Sequence, residues 1–140
     1  MVESKEKENR EGHDQAMGKL CDLHVHLDFM SNGSEVAEAV ARHGSMLFAN
    51  TVSPNGFEPA MKRFGGIPNV GVGLGFHPWW VGSSDVDAEL EIFDANIGRT
   101  RFIGEVGLDY GKRAAFSKEQ QVRAFRHMVG LAAESGGKVL

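Results

Sequence analysis

The chain has 140 residues, 41% of them hydrophobic and 24% charged, with a formal net charge of -4. That is enough for one domain with its own core, and it excludes a general basic field that would draw in a polyanion. Cys21 is the only cysteine, which excludes an intrachain disulfide; a lone thiol, expected to be buried, suits a reducing cytosol. No apolar run is long enough to span a bilayer, and the opening MVESKEKENREGHDQ lacks the apolar stretch of a secretory signal. A cytoplasmic protein without a membrane partner is expected.

Residues 1–18 mix acids and bases with almost no apolar side chain, and a disordered charged tail is expected there. From residue 19 the pattern alternates. KLCDLHVHLDF predicts a strand. EVAEAVARH (35–43) predicts a helix, with Ser34 before it as a candidate cap and Gly44 after it as a stop. SMLFANTV predicts a second strand, and residues 57–64 a short helix after a Pro-Asn-Gly turn. The glycine-rich NVGVGLGF predicts a third strand, DVDAELEIFDANI (85–97) a helix with acids in its first turn, and RFIGEVGL a fourth strand. A long amphipathic helix over 117–134 opens with S-K-E-Q, the pattern of a capping box between Ser117 and Gln120, and ends at Gly136 and Gly137. Lys138, Val139 and Leu140 look like the start of a fifth strand.

Strands alternating with helices predict parallel βαβ units and an α/β fold. A closed (β/α) barrel of the TIM type has eight strands and typically about 250 residues. Residues 19–140 therefore read as half a barrel: four βα units and a fifth strand that begins.

Three places on this frame carry chemistry. A parallel strand covered on both faces should be apolar throughout, and the first is not. Leu23, Val25 and Leu27 are expected to face the helices, and Asp22, His24 and His26 the barrel interior. Two imidazoles one residue apart at a strand end can grip one divalent metal ion. Asp28, just beyond, is placed to orient a ligating histidine. The competing explanation is a pair of histidines hydrogen-bonded in a polar core. Glu105, in IGEVGLDY, sits near the C-terminal end of the fourth strand, where barrel enzymes place their chemistry. A carboxylate there can hold a metal or bridge two; the competing explanation is a salt bridge to Arg101 or Arg123. Asp109 and Tyr110 follow on the loop, where Asp109 could orient a ligand or simply make a turn. His77, in GFHPWW, ends the third strand and could bind a substrate phosphate or move a proton. Gly71, Gly73 and Gly75 clear one face of that strand. Trp79 and Trp80 could stack on a base, although hydrophobic cover at the barrel rim is the favoured reading. His43 and His127 are expected on helix surfaces, and His13 lies in the tail.

Together CDLHVHLDF, GLGFHPWW and FIGEVGLDY, in that order, resemble the TatD family of metal-dependent hydrolases, and QQVRAFRHMVGLAAE resembles the family's following helix. The resemblance runs from about residue 19 to residue 140. It implies a (β/α) barrel of the amidohydrolase class with two divalent metal ions (Mg, Mn or Zn). It also implies phosphodiester hydrolysis, with DNA exonuclease activity the usual suggestion and nucleic acid the partner. By motif match His24 and His26 would hold one metal, Glu105 would be catalytic and bridge to the second, and His77 would meet the substrate. The family's two later histidine ligands and its late aspartate have no counterpart here. The expectation is therefore a TatD-type hydrolase missing the C-terminal part of its site. The alternative is an inactive remnant that binds metal weakly or acts as an assembly partner. Self-association through open barrel edges is also expected.

Overall fold

The computed structural model describes residues 19–140, and the tail read at residues 1–18 lies outside the described residues. Four parallel strands form one sheet in chain order: β1 (Cys21–Val25), β2 (Met46–Asn50), β3 (Val70–Phe76) and β4 (Ile103–Val106). The crossovers carry helices α1 (Gly33–His43), α2 (Pro54–Phe64), the four-residue α3 (Pro78–Val81) and α4 (Val86–Asn96), and α5 (Lys118–Ser135) follows β4. The sheet curls as half of a TIM-type barrel. The expected fifth strand begins at Val139, which pairs in parallel with Phe102. Val139 donates its N–H to the Arg101 carbonyl at 2.8 Å and accepts from Ile103 N–H at 2.8 Å.

Alternation on β3 decides where the core lies. Val72, Leu74 and Phe76 point to the convex side and are buried, with Leu47 and Ala49 of β2 beside them. Phe57 and Phe64 of α2 and Phe93 of α4 cover them and are fully buried. Burying one such side chain contributes about 1.5–3 kcal/mol, so this layer between sheet and helices holds the fold together. The glycines of β3 occupy the concave side. There the rings of Phe48 and Phe102 close over Gly71, with centroids 4.4 Å apart.

Helix ends depart from the sequence reading in instructive ways. Asn32, not Ser34, precedes α1, and the Ser34 hydroxyl accepts from Arg63 Nε at 3.0 Å. The Pro-Asn-Gly turn is instead the first turn of α2: Pro54 takes the first helical position, where its missing N–H costs nothing, and Ser53 Oγ accepts from Gly56 N–H. The capping box does not form. Ser117 is buried; its hydroxyl donates to the Ala114 carbonyl and accepts from the Gln121 side chain, so it caps no helix N–H. Gly44 ends α1 at φ 75°, in the left-handed region that favours glycine.

Candidate metal centre

β1 departs from strict alternation, and this shapes the site. Asp22 pairs with Leu47 and Val25 with Ala49, so three steps on β1 match two on β2. The extra residue is a bulge, which re-aims the side chains after it. Leu23, expected against the helices, instead lines the concave cavity together with His24. Asp22, expected inward, stands in register with helix-facing Leu47, and its carboxylate accepts the His24 N–H at 3.0 Å. Val25 and Leu27 do pack into the core. Cys21, expected to be buried, is exposed at the start of this edge strand.

His24, His26 and Glu105 come together. His24 Nε2 and His26 Nε2 are 3.3 Å apart, and they lie 3.4 and 3.3 Å from Glu105 Oε2. His26 Nδ1 lies 2.8 Å from the Asn50 carbonyl, an acceptor, so the proton of a neutral ring sits on Nδ1. His26 Nε2 then turns a lone pair towards a carboxylate oxygen. A proton on His24 Nε2 can serve one of these acceptors but cannot fill the gap between them; a cation can. Tetrahedral ligands bound at about 2.1 Å are about 3.4 Å apart, so the three donor atoms fit one triangular face of such a site. Among the described residues this is the one group of three or more such donors close enough to share an ion.

β4 carries Glu105 into this position through Thr51. The Glu105 N–H donates to the Thr51 carbonyl at 3.0 Å. Thr51 is buried, donates from Oγ1 to the Gly73 carbonyl at 2.8 Å and accepts from Gly75 N–H at 3.2 Å. A Cβ on Gly75 would lie 2.2 Å from both Glu105 N and the Thr51 carbonyl oxygen, so only glycine admits this approach. Arg101 and Arg123 do not pair with Glu105: Arg101 donates to the Gly137 carbonyl and Arg123 pairs with Asp87.

His77 reaches the same carboxylate from the other side, with Nε2 3.2 Å from Glu105 Oε1. Its Nδ1 accepts the Trp79 N–H at 3.1 Å as the cap of α3. Neither expected orienting carboxylate bonds a histidine ring among the described residues. The Asn50 carbonyl, not Asp28, occupies His26 Nδ1. Asp109 accepts from the Trp79 indole N–H and from Gly111 N–H. These bonds, the indole first, hold its carboxyl below the ordinary aspartate value of 3.8. Trp79 and Trp80 are both half exposed at the rim, and Arg113 lies 4.8 Å over the Trp79 ring. His43 meets Ser45 and His127 meets Asp94, both on helix surfaces away from the site.

The sequence reading missed Asn50, Thr51 and Gln121. The first two had a signal: polar residues ending the otherwise apolar SMLFANTV, at the functional end of a strand. Gln121 had none, since nothing in an amphipathic helix marks which polar residue turns inward.

A parallel half-barrel with imidazoles and a carboxylate at the C-terminal strand ends defines a partial (β/α) barrel with a candidate metal site. The profile of the TatD related DNase family matches residues 21–140, and the chain belongs to that family. No curated protein matches it. In structure the chain is similar to the TatD homolog YjjV of Escherichia coli K12, with a TM-score of 0.67 and 21% identity. That match covers 82% of this chain and 47% of YjjV, so the chain spans about half of the similar protein. No helix among the described residues is long and apolar enough to cross a membrane.

Proposed function

We propose that the protein is a divalent-metal-dependent hydrolase of phosphodiester bonds, acting on DNA in an exonuclease-like manner, and that this chain supplies the first half of the active site. The supporting observation is the triangle of His24 Nε2, His26 Nε2 and Glu105 Oε2, whose atoms lie 3.3–3.4 Å apart. His24 and His26 would hold the ion through Nε2 and Glu105 through Oε2; Mg, Mn or Zn suits such a nitrogen and oxygen set. A bound ion would polarise a phosphoryl oxygen and ease deprotonation of water. His77 supplies a donor beside the carboxylate for a substrate phosphate. The concave cavity of about 510 Å³ along His24, Asn50 and Glu105 gives the substrate room. A second reading, a remnant that binds metal weakly and serves as an assembly partner, draws support from the single ligand cluster among the described residues.

Metal content and cleavage of a DNA oligonucleotide, measured on the purified chain and on a His24→Ala, His26→Ala variant, test both readings. Bound metal that disappears in the variant supports the site. Metal with near-background turnover in the chain alone is common to both readings, metal-dependent cleavage that the variant loses favours the first over the second, and absence of metal in the unaltered chain overturns the first.

A further inference from the structure

A buried glutamine outside the metal centre leads back to it. Gln121 of α5 is 1% exposed. Its Nε2 donates to the Ala114 carbonyl at 2.8 Å and to Ser117 Oγ at 3.0 Å, which pins the loop after β4. Its Oε1 accepts the Asp109 N–H at 2.8 Å. The backbone of Asp109 is thus anchored to a helix, while its carboxylate takes the indole N–H of Trp79. The indole stands edge-on to the His77 ring, with centroids 5.1 Å apart and planes at 73°. The Trp79 backbone N–H donates to His77 Nδ1.

This last bond decides a tautomer. With Nδ1 accepting, the proton of neutral His77 must sit on Nε2, the atom 3.2 Å from Glu105 Oε1. His26 has the opposite form, since its Nδ1 faces a carbonyl. The two rings beside one carboxylate are therefore set to different tasks: His26 offers a lone pair and His77 offers a proton. α3 has only four residues, too short to hold its first turn by its own hydrogen bonds. The clamp on the Trp79 side chain supplies what the helix lacks.

We propose that Asp109 is a positioning residue: by anchoring Trp79 it keeps His77 as the tautomer whose Nε2–H faces Glu105 Oε1, leaving Oε2 beside His24 and His26. The tautomer assignment rests on the hydrogen bonds alone; its effect on metal rests on the proposed function above.

The test is long-range ¹H–¹⁵N correlation NMR of the histidine rings in the full chain, with separate titration by Zn or Mn. The unaltered protein is expected to show His77 with a protonated Nε2 and a bare Nδ1, and His26 with the reverse. Asp109→Leu is expected to mix the His77 tautomers and weaken metal binding by on the order of 10-fold. Asp109→Asn keeps an acceptor oxygen for the indole and is expected to retain the unaltered pattern. Trp79→Phe, which removes the indole donor but keeps a ring, is expected to behave like Asp109→Leu. His77 protonated on Nδ1, or a pattern unchanged in both Asp109→Leu and Trp79→Phe, overturns the proposal. A tautomer that follows Asp109 in a protein that binds no metal supports the positioning role and overturns the metal reading instead.

Discussion

At the scale of single residues, the site depends on which ring nitrogen carries the proton, and a sequence does not display that. His24, His26 and Glu105 were legible because polar side chains on inward strand positions need partners. What fixes them was hidden, because the Asn50 and Thr51 carbonyls are backbone groups that every residue possesses. His26→Ala removes a donor atom from the triangle, and metal affinity is expected to fall at least about 10-fold by calorimetric titration, since even loss of an outer partner costs that much. Unaltered affinity would remove His26 from the ligand set. Asp109 gives a pH prediction. Its carboxyl is held below the ordinary value by the Trp79 indole, by Gly111 N–H and by the charge of His77, with Arg113 over the indole as the neighbouring cation. The folded form thus favours the carboxylate. That stabilisation is fully present above the unfolded value, near 3.9, and is lost as pH falls through the lower folded value. Trp fluorescence is expected to change below the ordinary aspartate range in the unaltered protein, and this step is expected to be absent in Asp109→Asn, which has no proton to gain.

At the scale of elements, period and composition carried the four strands and four longer helices, and the failures have identifiable causes. The bulge in β1 was invisible because one inserted residue changes the phase of a strand without changing its composition. α3 was missed because four residues cannot show a period; only Pro78 at its first position hinted at it. The glycines of β3 were noticed without their task being clear. The structure gives Gly75 a definite one, the close passage of β3 past Glu105 and Thr51. Gly75→Ala puts a methyl group against backbone on two sides, where no rotamer change relieves it. An overpacking cost of about 1–3 kcal/mol or more is expected, read as a lower urea midpoint at an unchanged slope. Glu105 should be displaced with it, so metal affinity should fall beyond what the lost stability explains. A variant as stable as the unaltered protein would show that the sheet has slack there.

At the scale of the whole molecule, the described half-barrel leaves the outer edge of β1 unpaired and apolar side chains open to water, among them Leu23 and Leu140, 67% and 66% exposed. Unpaired parallel edges flanked by apolar surface favour association, and light scattering is expected to show mass rising with concentration; a strict monomer at high concentration would oppose this. The metal stoichiometry follows from the same incompleteness. One ion has three donor atoms, which is the number a catalytic metal needs from protein. A second ion would need Glu105 Oε1, but His77 Nε2 already stands 3.2 Å from that oxygen. Taking it would displace His77 and offer a single protein ligand in return. Two-metal hydrolysis requires both ions to be held and a water to be aimed at phosphorus, and misplacement by even about 1 Å can cost on the order of 10²-fold in rate. The chain alone is therefore expected to bind one divalent ion and to cleave DNA near the background rate. Mass spectrometry of the native metal-loaded chain counts the ions, and a parallel oligonucleotide assay gives the rate. Two ions per chain, with turnover abolished by His24→Ala, would mean that Glu105 releases His77 on metal binding and that the remaining ligands come from elsewhere, a second copy being the nearest source.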